Sequence, residues 1–318
     1  MPSSSVVAGQ RFALATGGLS LDAVVAAVRD AELRGYEAAL VGEVGLEADA
    51  FVTAAAALGA TAQIRCGPGV VGVHDRHPVA LARAAATLDR LAPGRALLGL
   101  GRGDRAHVED ALGLAWQPSQ AALSDAVHIT RALLRGETVR HRGERWSAAI
   151  GPASARAAAL GAVPVLLAAV GPRTLRLAGA AADGVLLNYG APPEYVPWAL
   201  GEVRAGAEQA GRDPAGVDVY GYLFAVCTDS ADAPRRLDAL RRRLAELHAD
   251  PGQGRWLAAQ IGSPHRWDDQ ALRRFAVVGT RDECLRRIEE YRQAGVRCPV
   301  LMPSAMRDLH EAVAMIQP

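Results

Sequence analysis

The sequence predicts an α/β protein: a (β/α)8 TIM barrel with insertions at its C-terminal face. Three observations predict it. Eight strand-like apolar runs alternate with helix-period segments along 318 residues. The runs are near-continuous in apolar residues, as expected of strands buried on both faces of a parallel sheet. No G-x-G-x-x-G follows the first run, which argues against a doubly wound dinucleotide fold, and eight strand–helix units in this length suit a barrel.

The elements follow in order. RFALATG (11–17) precedes a helix at about 20–34, with Ser20 as N-cap and Gly35 as stop. AALVGE (38–43) precedes a helix at about 48–59, and IRCGPGVVG (64–72) precedes one that Pro78 starts and Pro93-Gly94 ends. RALLGLG (95–101) leads through a polar loop to a helix at about 119–135. PVLLAAV (164–170) precedes a helix at 172–182, and GVLLN (184–188) one at about 192–210. VDVYGYLFAV (217–226) opens a longer helical stretch, after which VGTRDECLRRIEEYRQAG leads to PVLMP (299–303) and a closing helix. Two stretches exceed the bare repeat: a hairpin at ETVRHRGERWSAAI (137–150) and a helical insertion at about 230–275. Residues 1–318 are expected to form one domain, half hydrophobic and long enough for a large core.

Composition narrows the function. Net charge is +1 with dispersed basic residues, so neither nucleic acid nor membrane is an expected partner. The charged helix RRLDALRRRLAELHAD (235–250) interleaves acids and reads as a solvated face. MPSSSVVAGQRFALATGG lacks a basic region followed by a long apolar core, so no signal peptide is expected. Cys66, Cys227, Cys284 and Cys298 form no C-x-x-C pair and read as reduced thiols of a cytoplasmic protein. All 35 basic residues are Arg, so chemistry that needs a lysine amine is excluded: Schiff bases, pyridoxal phosphate and the Walker A loop.

Barrel active sites lie where strands end. Those ends supply Thr16, Glu43, Gly69-Val70, Arg102-Gly103-Asp104, Val170-Gly171-Pro172, Asn188 and Cys227. In VGPRT, Pro172 at a helix start loses no needed donor, and Gly171 permits close approach of a ligand. The N–H groups of residues 173–175 would then face the mouth as an anion site, with Arg173 and Thr174 adding charge and a hydroxyl. A plain strand–helix break explains Gly-Pro equally well. Glycines within IRCGPGVVG suggest either a bulge pressed against a flat ring or a loosely built loop. Gly101 and Gly103 would leave room at the mouth beside Asp104, and Glu43 ends the second strand in the same way. The two carboxylates are candidates for general acid and base, or partners for nearby arginines. His74 and His77 in HDRH complete no metal-ligand pattern, so no metal is expected; His77 reads as a helix-entry residue and His74 as an outside candidate for proton transfer. The remaining histidines, His248 and His141 among them, read as surface or loop residues.

These pieces resemble the luciferase-like monooxygenase superfamily, and within it the branch that uses the deazaflavin coenzyme F420, including the methylenetetrahydromethanopterin reductases. The resemblance rests on RHPVALARAAATLDRLAPGRALLGLGRGD, AAVGPRTLRLAGAAADGVLLN, YEAALVGEVGLEADAFVTAAAALGATAQIRCGPGVVG and RRFAVVGTRDECLRRIEEYRQAGV. It implies a barrel mouth that holds the deazaflavin ring, supported by a strand-three bulge with a non-prolyl cis peptide at Gly69–Val70. It also implies backbone binding of the cofactor phosphate at Ala169, Val170, Gly171, Pro172 and Arg173, with Asn188 nearby. Asp104 falls where the family's sugar-phosphate dehydrogenases carry a catalytic acid, and Glu43 where the family has an acid near the ring. Many relatives place His after the strand-two acid, where this chain has Val44. The expected function is hydride transfer between C5 of F420 and a small-molecule substrate at the mouth, and the resemblance implies a homodimer. Alternatives are a reduced-FMN monooxygenase, a non-catalytic flavin-binding protein, and a barrel enzyme acting on a phosphorylated metabolite.

Overall fold

Two packed layers follow from the two faces of each short strand. In β1 (Ala13–Thr16), Ala13 and Ala15 pack into the barrel interior, while Leu14 packs outward beneath the helices, because successive side chains leave opposite faces. Both faces are therefore apolar, which is why the runs lack the alternation of a half-exposed strand. The computed structural model describes residues 11–16, 20–43, 48–74, 76–103, 105–116, 119–158, 163–229 and 231–303.

The first half runs β1, α1 (Leu21–Leu33), β2 (Ala38–Val41), α2 (Ala50–Gly59), β3 (Arg65–Pro68), β4 (Val71–Gly72), α3 (Pro78–Leu91), β5 (Leu98–Gly101) and α4 (Ser119–Leu134). The helix starts obey local chemistry. Ser20 accepts from the Ala23 N–H at 3.4 Å, Asp49 from the Phe51 and Val52 N–H groups, and His77 Nδ1 from the Val79 N–H. The hairpin β6 (Val139–Arg142) and β7 (Ser147–Ile150) follows, pairing Val139 with Ile150. The second half runs α5 (Pro152–Ala158), β8 (Val165–Ala169), α6 (Pro172–Ala181), β9 (Gly184–Leu187), α7 (Val196–Gln209) and β10 (Asp218–Cys227). It continues through α8 (Ala233–Ala249), α9 (Gln253–Ile261), α10 (Asp269–Phe275), β11 (Val277–Gly279), α11 (Arg281–Ala294) and β12 (Cys298–Pro303). Among the described residues no helix is long and apolar enough to cross a membrane.

The sheet is parallel, in the order β3-β2-β1-β12-β10-β9-β8-β5-β4. β3 and β4 are two pieces of one barrel strand. β3 pairs with β2, setting Gly67 opposite Leu40, and β4 pairs with β5, setting Val71 opposite Leu100. A bridge between Cys66 and Ala96 closes the circle. Closure brings the backbones so near that a Cβ on Gly67 would lie 1.9 Å from the Leu97 carbonyl oxygen.

Three local differences from the sequence reading have physical causes. A wide helical turn at His107–Ala111 replaces the expected continuous polar loop, and Val108 is its buried anchor. A 3-10 turn at Pro193–Tyr195 precedes α7, because Tyr195 is buried and pulls the helix entry inward. β11 extends the end of β10 as a further parallel strand, with Ala225 opposite Val277. The expected closing helix lies outside the described residues. Helix α8 buries Leu240 and Leu244 against Phe224 and Phe275, so α8 to α10 share a small core with the end of β10. His248 lies within it, edge-on to Trp267 and Phe275, and is not the surface residue expected.

At the opposite, N-terminal end the charges are paired. Arg11 donates to Glu37 at 2.5 Å, to Asp218 at 2.8 Å and to the Tyr220 hydroxyl at 3.1 Å, and Arg65 donates to Glu37 at 3.3 Å.

Candidate active site

The C-terminal strand ends and α9 enclose a cavity of about 870 Å³, within the usual size range of small-molecule sites. Ala15, Val70, Ala168, Tyr222 and Met302 from five barrel strands form a mostly apolar floor. The Gly69–Val70 peptide is cis, at the position the resemblance implied. The Tyr222 hydroxyl donates to the Gly69 carbonyl from across the barrel. Burial pushes that hydroxyl's pKa well above its ordinary range, so it stays a donor. The Val70 side chain turns over the neighbouring strand. A Cβ on Gly101 would lie 2.5 Å from Val70 Cγ2, so the room Gly101 leaves is taken by Val70 as well as facing the cavity. Gly103 also lines the cavity and turns there with φ +76°.

The Gly-Pro turn is held from behind. The Tyr195 hydroxyl donates to the Val170 carbonyl, and Gln120 Nε2 donates to the Arg173 carbonyl at 3.3 Å. The expected trio of free N–H groups at 173–175 is reduced. Thr174 and Leu175 both donate to the Gly171 carbonyl, as the first helical turn requires, and the Thr174 hydroxyl donates to Gln120. The N–H groups of Gly171 and Arg173 find no acceptor among the described residues, and both residues line the cavity beside Ala169, Val170 and Pro172.

Glu43 and His74 differ in their access to the cavity. Glu43 lines the cavity with its side chain 15% exposed. Its Oε1 accepts from Arg76 Nη2 at 2.8 Å and from the Ala50 N–H at 3.3 Å, while Oε2 has no partner among the described residues. Arg76 also donates to Asp49, the N-cap of α2. Asp104 lies outside the described residues. His74 is buried, stacks on Trp116 at 4.3 Å and is not among the residues lining the cavity, which removes it from contact with a ligand there. Its neighbour His77 caps α3, as expected.

The insertion closes the mouth through contacts remote in sequence. Asn188 Nδ2 donates to Gln253 Oε1, and Gln253 Nε2 donates to the Tyr189 carbonyl at 3.0 Å, tying α9 to the end of β9. His248 binds the Gly190 carbonyl at 3.0 Å. Burial is the main reason its pKa falls below the ordinary histidine value. Trp256 lies against the turn, its Nε1 2.7 Å from where a Cβ on Gly171 would be. Four arginines line the cavity: Arg102, Arg173, Arg243 and Arg255. Arg243 has one loose pair with Glu246 at 3.7 Å, and the other three pair with no carboxylate among the described residues. The arrangement can receive a partly flat, anionic ligand, with a charged rim, two backbone donors and an apolar floor.

Residues 1–298 match the family described as luciferase-like monooxygenase. The chain belongs to that family. Within it, the chain is 30% identical over 253 residues to a 5,10-methylenetetrahydromethanopterin reductase from Methanolobus tindarius, covering 74% of this chain and 76% of that one. It is 32% identical over 231 residues to an F420-dependent glucose-6-phosphate dehydrogenase from Nakamurella multipartita, covering 70% and 66%. The structure of the coenzyme F420-dependent tetrahydromethanopterin reductase from Methanopyrus kandleri superposes with a TM-score of 0.75 at 23% identity over 96% of both chains, a likeness of fold. The luciferase-like barrel thus agrees with the expected fold class. Trp256, Gln253, Gln120, Tyr195, Tyr222 and Arg76 are among the site residues the sequence reading missed. Of these, Arg76 lies inside the HDRH stretch and Tyr222 inside VDVYGYLFAV.

Proposed function

We propose that this chain is an F420-dependent oxidoreductase that transfers a hydride between the deazaflavin and a small organic substrate at the barrel mouth. The observation that carries the reading is the pairing of the Gly69–Val70 bulge with the Gly171–Arg173 turn across one cavity, in a chain whose relatives include F420-dependent enzymes. The residues fit the cofactor: two unclaimed N–H groups and three arginines without carboxylate partners suit its phosphate and charge, and the floor suits a ring. When bound, F420 supplies a two-electron hydride centre at C5.

The chain's own residues have definable tasks. Gly171 and Arg173 would hold the phosphate, with Ala169, Val170, Pro172 and Asn188 shaping that side of the cavity. Val70 and Gly69, held by Tyr222, would support the ring, with Gly101 and Gly103 beneath and beside them. Arg76 and the Ala50 N–H fix Glu43 Oε1 and leave Oε2 to exchange a proton with the substrate. Asp104 is the second candidate for that proton. The apolar floor and α9 exclude water, which strengthens each polar contact inside.

The test is a titration of the purified protein with F420 and, separately, FMN, followed by fluorescence. Tight binding of F420 and weak binding of FMN is the expected outcome. Preference for FMN would move the chain to flavin-dependent oxygenation, and binding of neither would refute a flavin-type cofactor.

A further inference from the structure

We propose that the hairpin β6–β7, which stands outside the barrel, positions the floor of the cavity, and that Trp146 and Arg145 are the positioning residues through which it acts. The inference rests on the reading of Gly69–Val70 as the support of the cofactor ring, and extends that support to an element that does not line the cavity.

The hairpin forms a two-stranded sheet of its own, and none of its residues lines the cavity. An isolated pair of strands is marginal in water, and Asp125 of α4 holds this one. Its buried carboxylate accepts from the Arg145 and Trp146 N–H groups, each at 2.9 Å, and binds His141 Nε2 at 2.7 Å. The turn held in this way reaches the exit of β4. Trp146 Nε1 donates to the Val73 carbonyl at 2.9 Å, and Arg145 Nη2 donates to the His74 carbonyl at 3.0 Å. Both carbonyls lie just past Gly72, where the two-residue ladder with β5 ends. Side chains from the hairpin therefore continue the hold that the sheet gives up. A third contact lies further along: His77 Nδ1 accepts the Val79 N–H, so Nε2 carries the proton and donates to the Ser147 carbonyl at 3.2 Å. Two parts of the site flank the gripped carbonyls. On one side Val70 and Gly72 line the cavity; on the other Arg76 holds Glu43 Oε1. A shift of Val73 and His74 would be passed to both.

The test measures binding of F420, and of the same deazaflavin lacking its phosphate, to the wild type, Trp146→Phe, Arg145→Met and Arg145→Lys. Phenylalanine keeps an aromatic ring against His77 and removes the donor to Val73. The change acts on the ring support and not on the Gly171–Arg173 turn. Trp146→Phe and Arg145→Met should therefore weaken both ligands by the same factor, about fivefold, the usual range for one lost hydrogen bond. Arg145→Lys keeps a donor and should stay within about twofold of the wild type. Unchanged binding of the phosphate-free ligand in Trp146→Phe and Arg145→Met, or a loss that Arg145→Lys does not restore, overturns the proposal. If the wild type binds FMN and riboflavin in place of the deazaflavins, the F420 reading fails and the same variants are judged on that pair. A measurement without ligand separates the hairpin from the cofactor. Amide exchange over residues 70–74 should be about fivefold faster in Trp146→Phe, with the β10–β12 ladder unchanged. If no ring-bearing ligand binds the wild type, the cofactor reading fails while the hold on the floor is still judged by exchange. Unchanged exchange over 70–74 overturns that hold whatever the cofactor.

Discussion

The two ends of the barrel handle charge in opposite ways. At the N-terminal end Arg11 is met by Glu37, Asp218 and Tyr220. At the C-terminal end Arg102, Arg173 and Arg255 face a cavity with no carboxylate partner among the described residues, and Glu43 is engaged by Arg76. Uncompensated like charges repel one another and do not stabilise a fold. The lower charges join strands, and under the proposed function the upper ones receive a ligand.

Substitutions can break or sharpen this contrast. The largest effect belongs to the closure that both ends share. Gly67→Ala would place a methyl group 1.9 Å from a backbone oxygen that cannot yield. Urea unfolding should show a loss of at least about 3 kcal/mol or failure to fold. At the mouth, Glu43→Gln should lower turnover by about 100-fold or more in steady-state assays, with a much smaller change in F420 affinity. A drop in affinity as large as the drop in turnover would make Glu43 a binding group only.

At the base, Arg11→Met should cost about 2 kcal/mol, a figure reduced for the partial exposure of its partners. The same variant should alter acid unfolding. Burial alone would raise the Asp218 pKa, but hydrogen bonds and charge from Arg11 outweigh it and hold the carboxyl below its usual range. Its stabilisation is therefore full above the unfolded value near 3.9 and is lost as pH falls through the lower folded value. Arg11→Met should flatten that acid limb. Arg102→Met, by contrast, should leave unfolding within about 0.5 kcal/mol of the wild type. It should weaken F420 about threefold at low ionic strength, and less in high salt, as screening predicts. The smallest effect is at His248. Burial keeps its folded pKa below the unfolded value of about 6.5. The unfolded chain then takes the proton first, so this contribution is complete above about pH 6.5 and declines below it. His248→Gln should remove less than about 1 kcal/mol of pH dependence between pH 7 and 5.

The eight strands and the Gly-Pro turn were legible because each is local: a short apolar run, or a proline at a helix start. The site's supports were not. Tyr222 reaches Gly69 across 153 positions, and Gln253 reaches Asn188 across 65. No window of sequence contains both partners. The glycines of strand three were ambiguous because their reason, Val70 turned over Gly101 and Gly67 pressed on Leu97, lies on the adjacent strand. His248 looked exposed because α8 is rich in charge, while its last turn points into a cluster formed by Trp267 and Phe275. Glu43 was visible as a strand-end acid, yet its orientation depends on Arg76, whose role at the start of α3 nothing in the spacing reveals.

The barrel's circle is thinly held where β3 gives way to β4. There the closure depends on one bridge at Cys66 and a two-residue ladder at Val71–Gly72, against six pairs between β10 and β12. A hoop of eight staves opens more readily at a short join than at a long one. Amide exchange should therefore be faster for residues 66–72 than for the β10–β12 ladder, through local opening rather than global unfolding. That join is also the floor of the cavity. A ligand seated on it would act as a rivet, slowing exchange not only at its own contacts but around the full circumference of the sheet.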